Sequence, residues 1–458
     1  MLSRRRMVAG VAGAITGGAL LAACGLSGGG GRPGTGDGAG AVPPALRTGT
    51  LTVGNQLSYP EQDAIRALTV QAFRERYPGV RVEEVNAPLQ QYNQKLLAML
   101  AGGTLPDAMH LYYGQAAGGP ADLAAREALR PLDDYVRRDA GPGALGWEDL
   151  WPAARQAARY EARQLTLPNG GVAAAIVFFN RDLLRAAGRE APDDLFRRGR
   201  WTWDTVVEEA TRLTAREPDG ALLRAGLGSP LHWEPGTWAT VLLRGYGADY
   251  LSPDGRRVVV DSPPGRQALQ VLSELGPRRR TMPLRGDGDS VALIKEGRVA
   301  QALLWFVAAA WWRPLTFEWD IAPAPAGPAG RPLRAVISRA GIARQSTVPD
   351  LAWDYLVLAG SPAMDLDQAV RFGLLPLRRS SLPAWRERMR PQRPANLDLI
   401  ETTLRDLSLD ALRRPNPQQG AVDDLLQREV TALLLEAKPA DLVAHTLATE
   451  GNALLGAG

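Results

Sequence analysis

Cysteine is all but missing from this 458-residue chain: Cys24 stands alone, so no internal disulfide can form. Histidine is nearly as scarce. His110, His232 and His445 lie far apart in sequence, and no metal-ligand spacing appears among them. Lysine is limited to Lys95, Lys295 and Lys438, so the remainder of the 53 basic residues is arginine. That bias reads as genomic composition rather than function. The net charge is only +4, and the clusters Arg137-Arg138 and Arg278-Arg279-Arg280 are short and not interleaved with aromatics. Nucleic-acid binding asks for one contiguous basic face, so no nucleic-acid partner is expected. The P-loop pattern is missing, and with it the commonest phosphate cradle. Fixed-period repeats and heptad runs are missing as well.

The first apolar stretch, Met7 to Ala23, is broken by glycines and falls short of the ~20 residues that a membrane-spanning helix needs. It follows Arg4, Arg5 and Arg6 and ends in Leu21-Ala22-Ala23-Cys24. A charged start, a short apolar core and small residues before the cut make a secretory signal, over residues 1–23. Small residues before a lone cysteine resemble a bacterial lipobox, which makes Cys24 the expected lipidation site. Two or more acyl chains, at ~0.8 kcal/mol per buried methylene, anchor a protein where one chain does not. Ser3-Arg4-Arg5 also resembles a twin-arginine export signal. Residues 24–49 are dominated by glycine, with Pro33, Pro43 and Pro44. Such a segment cannot bury enough apolar surface to fold and serves as a flexible tether.

The length beyond the tether suits two domains at ~150 residues or more each. Leu51-Thr52-Val53 reads as a strand ending in Gly54-Asn55-Gln56. Ile65, Leu68, Ala72, Phe73 and Tyr77 repeat near 3.6 residues and predict a helix stopped by Pro78-Gly79. Val80 to Val82 alternates as a strand, Tyr92 to Leu100 as a helix, and Ala108 to Tyr112 as a third strand. Strand–helix–strand–helix–strand predicts a mostly parallel sheet covered by helices, an α/β fold. Val172 to Phe179 is a continuous apolar run, as a strand buried on both faces would be. Asn180 is placed to cap the helix that follows, and Asp107 to fix the loop before its strand. Trp201 and Trp203 flank a helix start and read as structural. Further strands are expected at Val299 to Trp305, Trp319 to Ala322 and Val336-Ile337, with helices at Val291 to Glu296, Leu351 to Leu358 and beyond Asn396.

The order of several short segments carries a resemblance. These are Phe73-Arg74-Glu75-Arg76-Tyr77-Pro78-Gly79-Val80, Gly103-Thr104-Leu105-Pro106-Asp107, Leu129-Arg130-Pro131-Leu132-Asp133, and Leu167-Pro168 with Phe178-Phe179-Asn180. Trp201-Thr202-Trp203-Asp204, Glu296-Gly297-Arg298-Val299-Ala300, Trp319 to Pro325, Ala352 to Leu356 and Leu375-Pro376-Leu377-Arg378 continue the series. In this order they resemble the extracellular solute-binding proteins of ABC importers, in the family 1 group that binds sugars and oligosaccharides. The chain departs from that pattern at Gln164 to Pro168, where the group usually has a Tyr-Gly-Leu-Pro-like segment. It departs again at Leu304-Trp305-Phe306, where a glycine followed by an aromatic is common.

The resemblance implies a two-lobed periplasmic-binding-protein-like fold of type II, with lobes joined by about three crossovers near Tyr112, near Pro323 and after Pro376. One lobe would hold residues 50–112 and 323–376, the other 113–322 and 377–458. Ligand would be held between them, the lobes closing by a hinge. A monomer is implied, its membrane partner an ABC permease, its location the outer face of the bacterial cytoplasmic membrane, with no cofactor and no metal.

Sugars present hydroxyls at their rims and C–H groups on their faces, so a site needs aromatic platforms with polar side chains at the edges. Loops at strand ends are the expected positions. Gln56 and Tyr59 follow the first strand; Tyr112 and Tyr113 follow the third. Trp305, Phe306 and Trp311, with Trp312, form the densest aromatic group, and Trp305 is the first choice for stacking. Trp238 with Glu234, and Phe372 in the third crossover, complete the candidates.

Three other readings need weighing. A glycosidase would place two carboxylates across a cleft, but Asp133-Asp134, Asp193-Asp194 and Asp423-Asp424 sit at polar boundaries and read as capping or solvated positions. No catalytic residues are therefore assigned. The same fold with a polyamine, a glycerol phosphate or a metal chelate as ligand is the nearer alternative, and a receptor that signals without transport is a third.

Overall fold

A computed structural model describes residues 47–57, 60–111, 117–141, 145–228, 235–284, 286–331, 333–391, 394–405, 407–409, 412 and 418–456. In chain order the strands are β1 (Gly49–Leu57), β2 (Val80–Pro88), β3 (Ala108–Leu111), β4 (Arg159–Tyr160), β5 (Arg163–Gln164), β6 (Leu167–Asn180), β7 (Ala215–Arg216), β8 (Leu222–Arg224), β9 (Gln301–Trp305), β10 (Trp319–Ala322), β11 (Leu333–Ile342) and β12 (Leu407–Leu409). The main sheet runs β10-β6-β11-β3-β1-β2, with β9 on β6 and β12 on β11.

The sheet is mixed. β1 pairs in parallel with β2 and β3, as strands joined by helical crossovers do. β11 runs antiparallel to both β3 and β6, and β9 and β10 are antiparallel to β6. The parallel character expected from the first sixty residues is therefore confined to that end and to the β11–β12 pair. It reads locally because each β–helix–β unit is short, whereas the antiparallel partners arrive from distant parts of the chain, Gln301 opposite Phe179 and Arg339 opposite Leu111.

β6 shows why its apolar run is unbroken. Successive side chains of a strand point to opposite faces, and here both faces are covered. Val172, Ala174, Ile176 and Phe178 belong to one core with Leu304, Phe306, Trp312, Trp319 and Trp385. Ala175 and Val177 face the other way, into a core with Trp203, Val206, Trp238, Leu272 and Leu433. A third core lies at the opposite end of the sheet, where Leu51, Val53, Phe73, Ala340, Ile342, Trp353 and Leu356 pack together. Leu132, Val136 and Leu145, expected in the second lobe, pack into this third core.

β11 belongs to both ends. Its Ala335 and Ile337 enter the core around β6, whereas Ala340 and Ile342 enter the core around β1. The inward positions switch from odd to even numbers, which point to opposite faces of a strand, so the two cores lie on opposite sides of β11. A slip lies in its pairing with β6. Ile337 pairs with Val172 and the next residue, Ser338, with Asn169, leaving Gly170 and Gly171 without a partner residue on β11. Both glycines have left-handed φ, 81° and 84°, a conformation that glycine adopts without the Cβ penalty. A third segment joins here: Leu375 N–H donates to the Val172 carbonyl at 2.9 Å and Val172 N–H to the Leu375 carbonyl at 2.8 Å.

Several sequence expectations are met locally. The Asn180 side chain accepts from Leu183 N–H and caps the helix Arg181–Ala186. Asp107 accepts from the Thr52 amide and hydroxyl at 2.9 and 2.7 Å and from the Ser346 hydroxyl at 2.7 Å, so it fixes the entry to β3. Trp201 and Trp203 are buried in the core, and the Trp201 indole donates to the Pro323 carbonyl at 2.7 Å. Asp193 departs from its expected solvated position. It is 2 % exposed and receives Arg181, Arg197 and the Asn396 amide, each within 2.9 Å. Burial pushes its carboxyl up, but these hydrogen bonds and the Arg181 charge hold it below the usual carboxylate range. The C-terminal region, read as helices alone, also contributes β12.

Candidate functional site

The residues singled out from sequence separate into three groups. Cys24, Tyr59, Tyr112, Tyr113 and Glu234 lie outside the described residues, as does the side chain of Trp311. Gln56, Trp238 and Phe306 are buried. Trp305 and Phe372 come together.

Gln56 does not follow the first strand; β1 continues to Leu57, and Gln56 sits opposite Ala87 of β2, 1 % exposed. The strand runs on because its neighbour β2 continues to offer pairing as far as Pro88, which the sequence around Gly54 conceals. Trp238 lies in the helix Pro235–Gly245, its indole centroid 6.3 Å from that of Trp203. Phe306 is wholly buried, 6.5 Å from the Phe178 ring and 6.0 Å from Trp385. In this structure both are core residues, so they serve the second lobe by packing. Trp312 is likewise in the core, edge-on to Trp319 at 5.6 Å.

Trp305 differs from these neighbours. It ends β9 and starts a single 3-10 turn, and it is half-buried. It packs against the core around Trp238 and also against a small cluster of Ala173, Phe372 and Leu374, together with Val307 and Val336. Ala173 and Val336 belong to the two long strands shared by both ends of the sheet, and Leu374 to the third segment beside them. The cluster is thus built where these three segments adjoin. The Arg334 guanidinium carbon lies 5.9 Å from the Trp305 ring centroid, within cation–π range. An apolar indole with a guanidinium over its ring brings together the two kinds of group that a hydroxylated ring requires. Trp305 and Phe372 were among the residues singled out from sequence and Arg334 was not; β11 also carries Ser338 and Arg339, so a cation in this strand gave no distinct signal.

Two polar features border this cluster. Asp365 and Arg378, 1 % and 2 % exposed, stand 3.8 Å apart beneath it. Burial pushes the Asp365 carboxyl up to about 6, and burial also lowers the Arg378 guanidinium. Asp365 accepts from Leu377 N–H at 3.0 Å and Arg378 donates to the Leu145 carbonyl at 2.6 Å. This pair fastens the helix Pro362–Phe372 to the third segment. Beside the helix Pro60–Arg76, His110 of β3 lines a polar cavity, and burial pushes its imidazole down to about 3, so it is neutral at physiological pH. Among the described residues, no three His, Cys, Asp or Glu side chains gather as metal ligands would, and no helix is long and apolar enough to cross a membrane.

Comparison with known proteins identifies what such an arrangement belongs to. Residues 58–365 match the family of bacterial extracellular solute-binding proteins. The chain belongs to that family. A search of curated proteins found no match. Among solved structures, this solute-binding protein is similar to an ABC substrate-binding protein from Listeria monocytogenes in complex with cycloalternan, at 18% identity, TM-score 0.74, covering 90% of this chain and 100% of that one. A cyclic α-maltosyl-1,6-maltose binding protein from Arthrobacter globiformis matches at 20% identity and TM-score 0.72, over 90% of this chain and 100% of that one. UgpB from Mycobacterium tuberculosis, in complex with glycerophosphocholine, matches at 15% identity and TM-score 0.72, over 90% and 99%. At these identities the likeness establishes the two-lobed α/β fold.

Proposed function

We propose that this solute-binding protein captures a sugar or oligosaccharide between its lobes and delivers it to an ABC permease, acting as a monomer without chemistry of its own. The observation that carries the reading is Trp305, half-buried, packed against the cluster that holds Phe372 and with the Arg334 guanidinium over its ring. A sugar ring would lay its C–H face on the indole and offer hydroxyls to polar neighbours. Tyr59, Tyr112, Tyr113, Glu234 and Trp311 remain proposed contacts on the strength of their sequence positions. The cycloalternan in complex with the Listeria protein, and the cyclic maltosyl-maltose for which the Arthrobacter protein is named, support this choice of ligand. We divide the lobes as 50–112 with 323–376 and 113–322 with 377–458, with two changes. The packing of Leu132, Val136 and Leu145 favours a first crossover inside β6, and the change of core along β11 favours a second between Ile337 and Ala340.

The N-terminal sequence supports export and anchoring at Cys24 through acyl chains, with the glycine-rich stretch as tether, on the outer face of the cytoplasmic membrane. Export by the twin-arginine route is part of the same reading.

Thermal unfolding of the chain from Gly25 onward, against a panel of mono- and oligosaccharides, tests the ligand. A ligand that binds only the folded state adds RT ln(1 + [L]/Kd), about 2.7 kcal/mol at a hundredfold excess over Kd. A rise with a sugar that disappears in Trp305→Ala supports both ligand and site. The glycerophosphocholine-bound relative favours a second reading, a glycerol phosphate ligand. A rise with glycerophosphocholine and none with any sugar would replace the first reading by the second.

A further inference from the structure

The slip between β6 and β11 is accompanied by a polar cavity of about 40 Å³, lined by Asn55 of β1, His110 of β3, Asn169 and Gly170 of β6, Ser338 of β11 and Gln368 of the helix Pro362–Phe372. Asn169, Gly170 and Ser338 are the residues at which the ladder loses its register. Two groups on the walls find no hydrogen-bond partner among the described residues, Asn55 Nδ2 and Asn169 Oδ1. Asn55 is 3 % exposed and Asn169 is 7 % exposed. A buried amide group left unsatisfied costs ~1–3 kcal/mol, and here a donor and an acceptor stand in the same chamber.

Whatever occupies the chamber must accept from Asn55 and donate to Asn169. A neutral hydroxylic group does both. A water needs ~10–15 Å³ and two to four polar partners, so a 40 Å³ chamber takes two or three waters and is too small for a sugar ring.

We propose that this cavity is a site for two or three ordered water molecules that bridge Asn55 and Asn169 across the break in the crossover ladder. The water cluster joins β1, β6 and β11 where the backbones of β6 and β11 lose their pairing. Because waters re-form their hydrogen bonds after small displacements, the strands shared by the two lobes can shift there without stranding a buried amide. The proposal does not depend on which solute the protein carries.

Magnetic relaxation dispersion of water nuclei in solutions of the ligand-free protein counts long-lived internal waters. The near-isosteric double variant Asn55→Leu, Asn169→Leu is expected to lose two or three of them with an unchanged far-ultraviolet circular dichroism spectrum. An equal count in both proteins overturns the proposal. A crystal structure of the unmodified protein provides the second measurement, independent of whether the variant folds. Water density within hydrogen-bond distance of both amide atoms supports the site. A dry chamber, or density for a larger molecule, overturns it.

Discussion

Asp365 keeps a carboxyl group away from water, and its partner Arg378 is 3.8 Å away with no closer approach. Burial therefore dominates over the attraction of the guanidinium and raises the carboxyl to about 6. An unfolded aspartate releases its proton near pH 4. Between roughly pH 4 and 6 the native state thus holds more protons than the unfolded state, so this residue's contribution to stability falls as pH rises. Asp365→Asn is expected to remove that slope, so the variant gains on the wild type by up to roughly 2–3 kcal/mol from pH 4 to pH 7. Urea unfolding at both pH values checks it; an equal gap at the two pH values refutes the assignment. His110 carries the opposite sign. Its pKa is lowered to about 3, so the native state resists protonation and stability falls as pH drops below about 6.5. His110→Gln should flatten the loss between pH 6.5 and 4 in the same titration. Asn180 and Asp107 were legible in sequence at this scale because a cap and a loop anchor act on backbone groups a few residues or one strand away. Asp193 and Arg334 were not, because each is met by a separate segment of the chain: Asn396 lies 203 residues from Asp193, and Trp305 sits on a different strand from Arg334.

The same division holds for whole elements. The apolar period of the helix Pro60–Arg76 and the unbroken run of β6 are properties of adjacent residues, so the sequence disclosed them. The starts of strands are harder. β6 was expected to begin at Val172 but reaches back to Leu167, because Gly170 and Gly171 interrupt the apolar run without ending the strand. Their role is steric as well as conformational. A Cβ on Gly171 would lie 2.8 Å from the Leu374 Cβ, at φ 84°, whereas one on Gly188 meets nothing within 4 Å, at φ 63°. Gly188→Ala should therefore cost only the left-handed backbone term, about 1–2 kcal/mol. Gly171→Ala carries that term plus displacement of the third segment from β6, and is expected to cost measurably more in urea unfolding. Equal costs would mean that the third segment yields freely at this point, and the tight crossover packing would have to be given up.

For the whole molecule, the two-lobed fold followed from the order of short segments along the chain, and the family match over residues 58–365 agrees with it. The sequence did not disclose that one strand, β11, serves two cores. That required seeing the inward positions of β11 switch parity between Ile337 and Ala340 and change from one core to another. A molecule joined through such strands, with Trp305 at the junction, should change shape when its solute binds. Small-angle scattering of the chain from Gly25 onward is expected to give a smaller radius of gyration with the sugar that raises its melting temperature. At a hundredfold excess over Kd that rise should be about 3 °C for a folded part of this length. Trp305→Ala should leave the ligand-free radius unchanged and abolish the contraction. If the variant still contracts while its thermal shift persists, the stacking residue lies elsewhere, and the tyrosines at 59, 112 and 113 become the next substitutions. If neither protein contracts although both are stabilised, the solute binds without hinge closure, and a permease could not read the loaded state from the lobes' relative position.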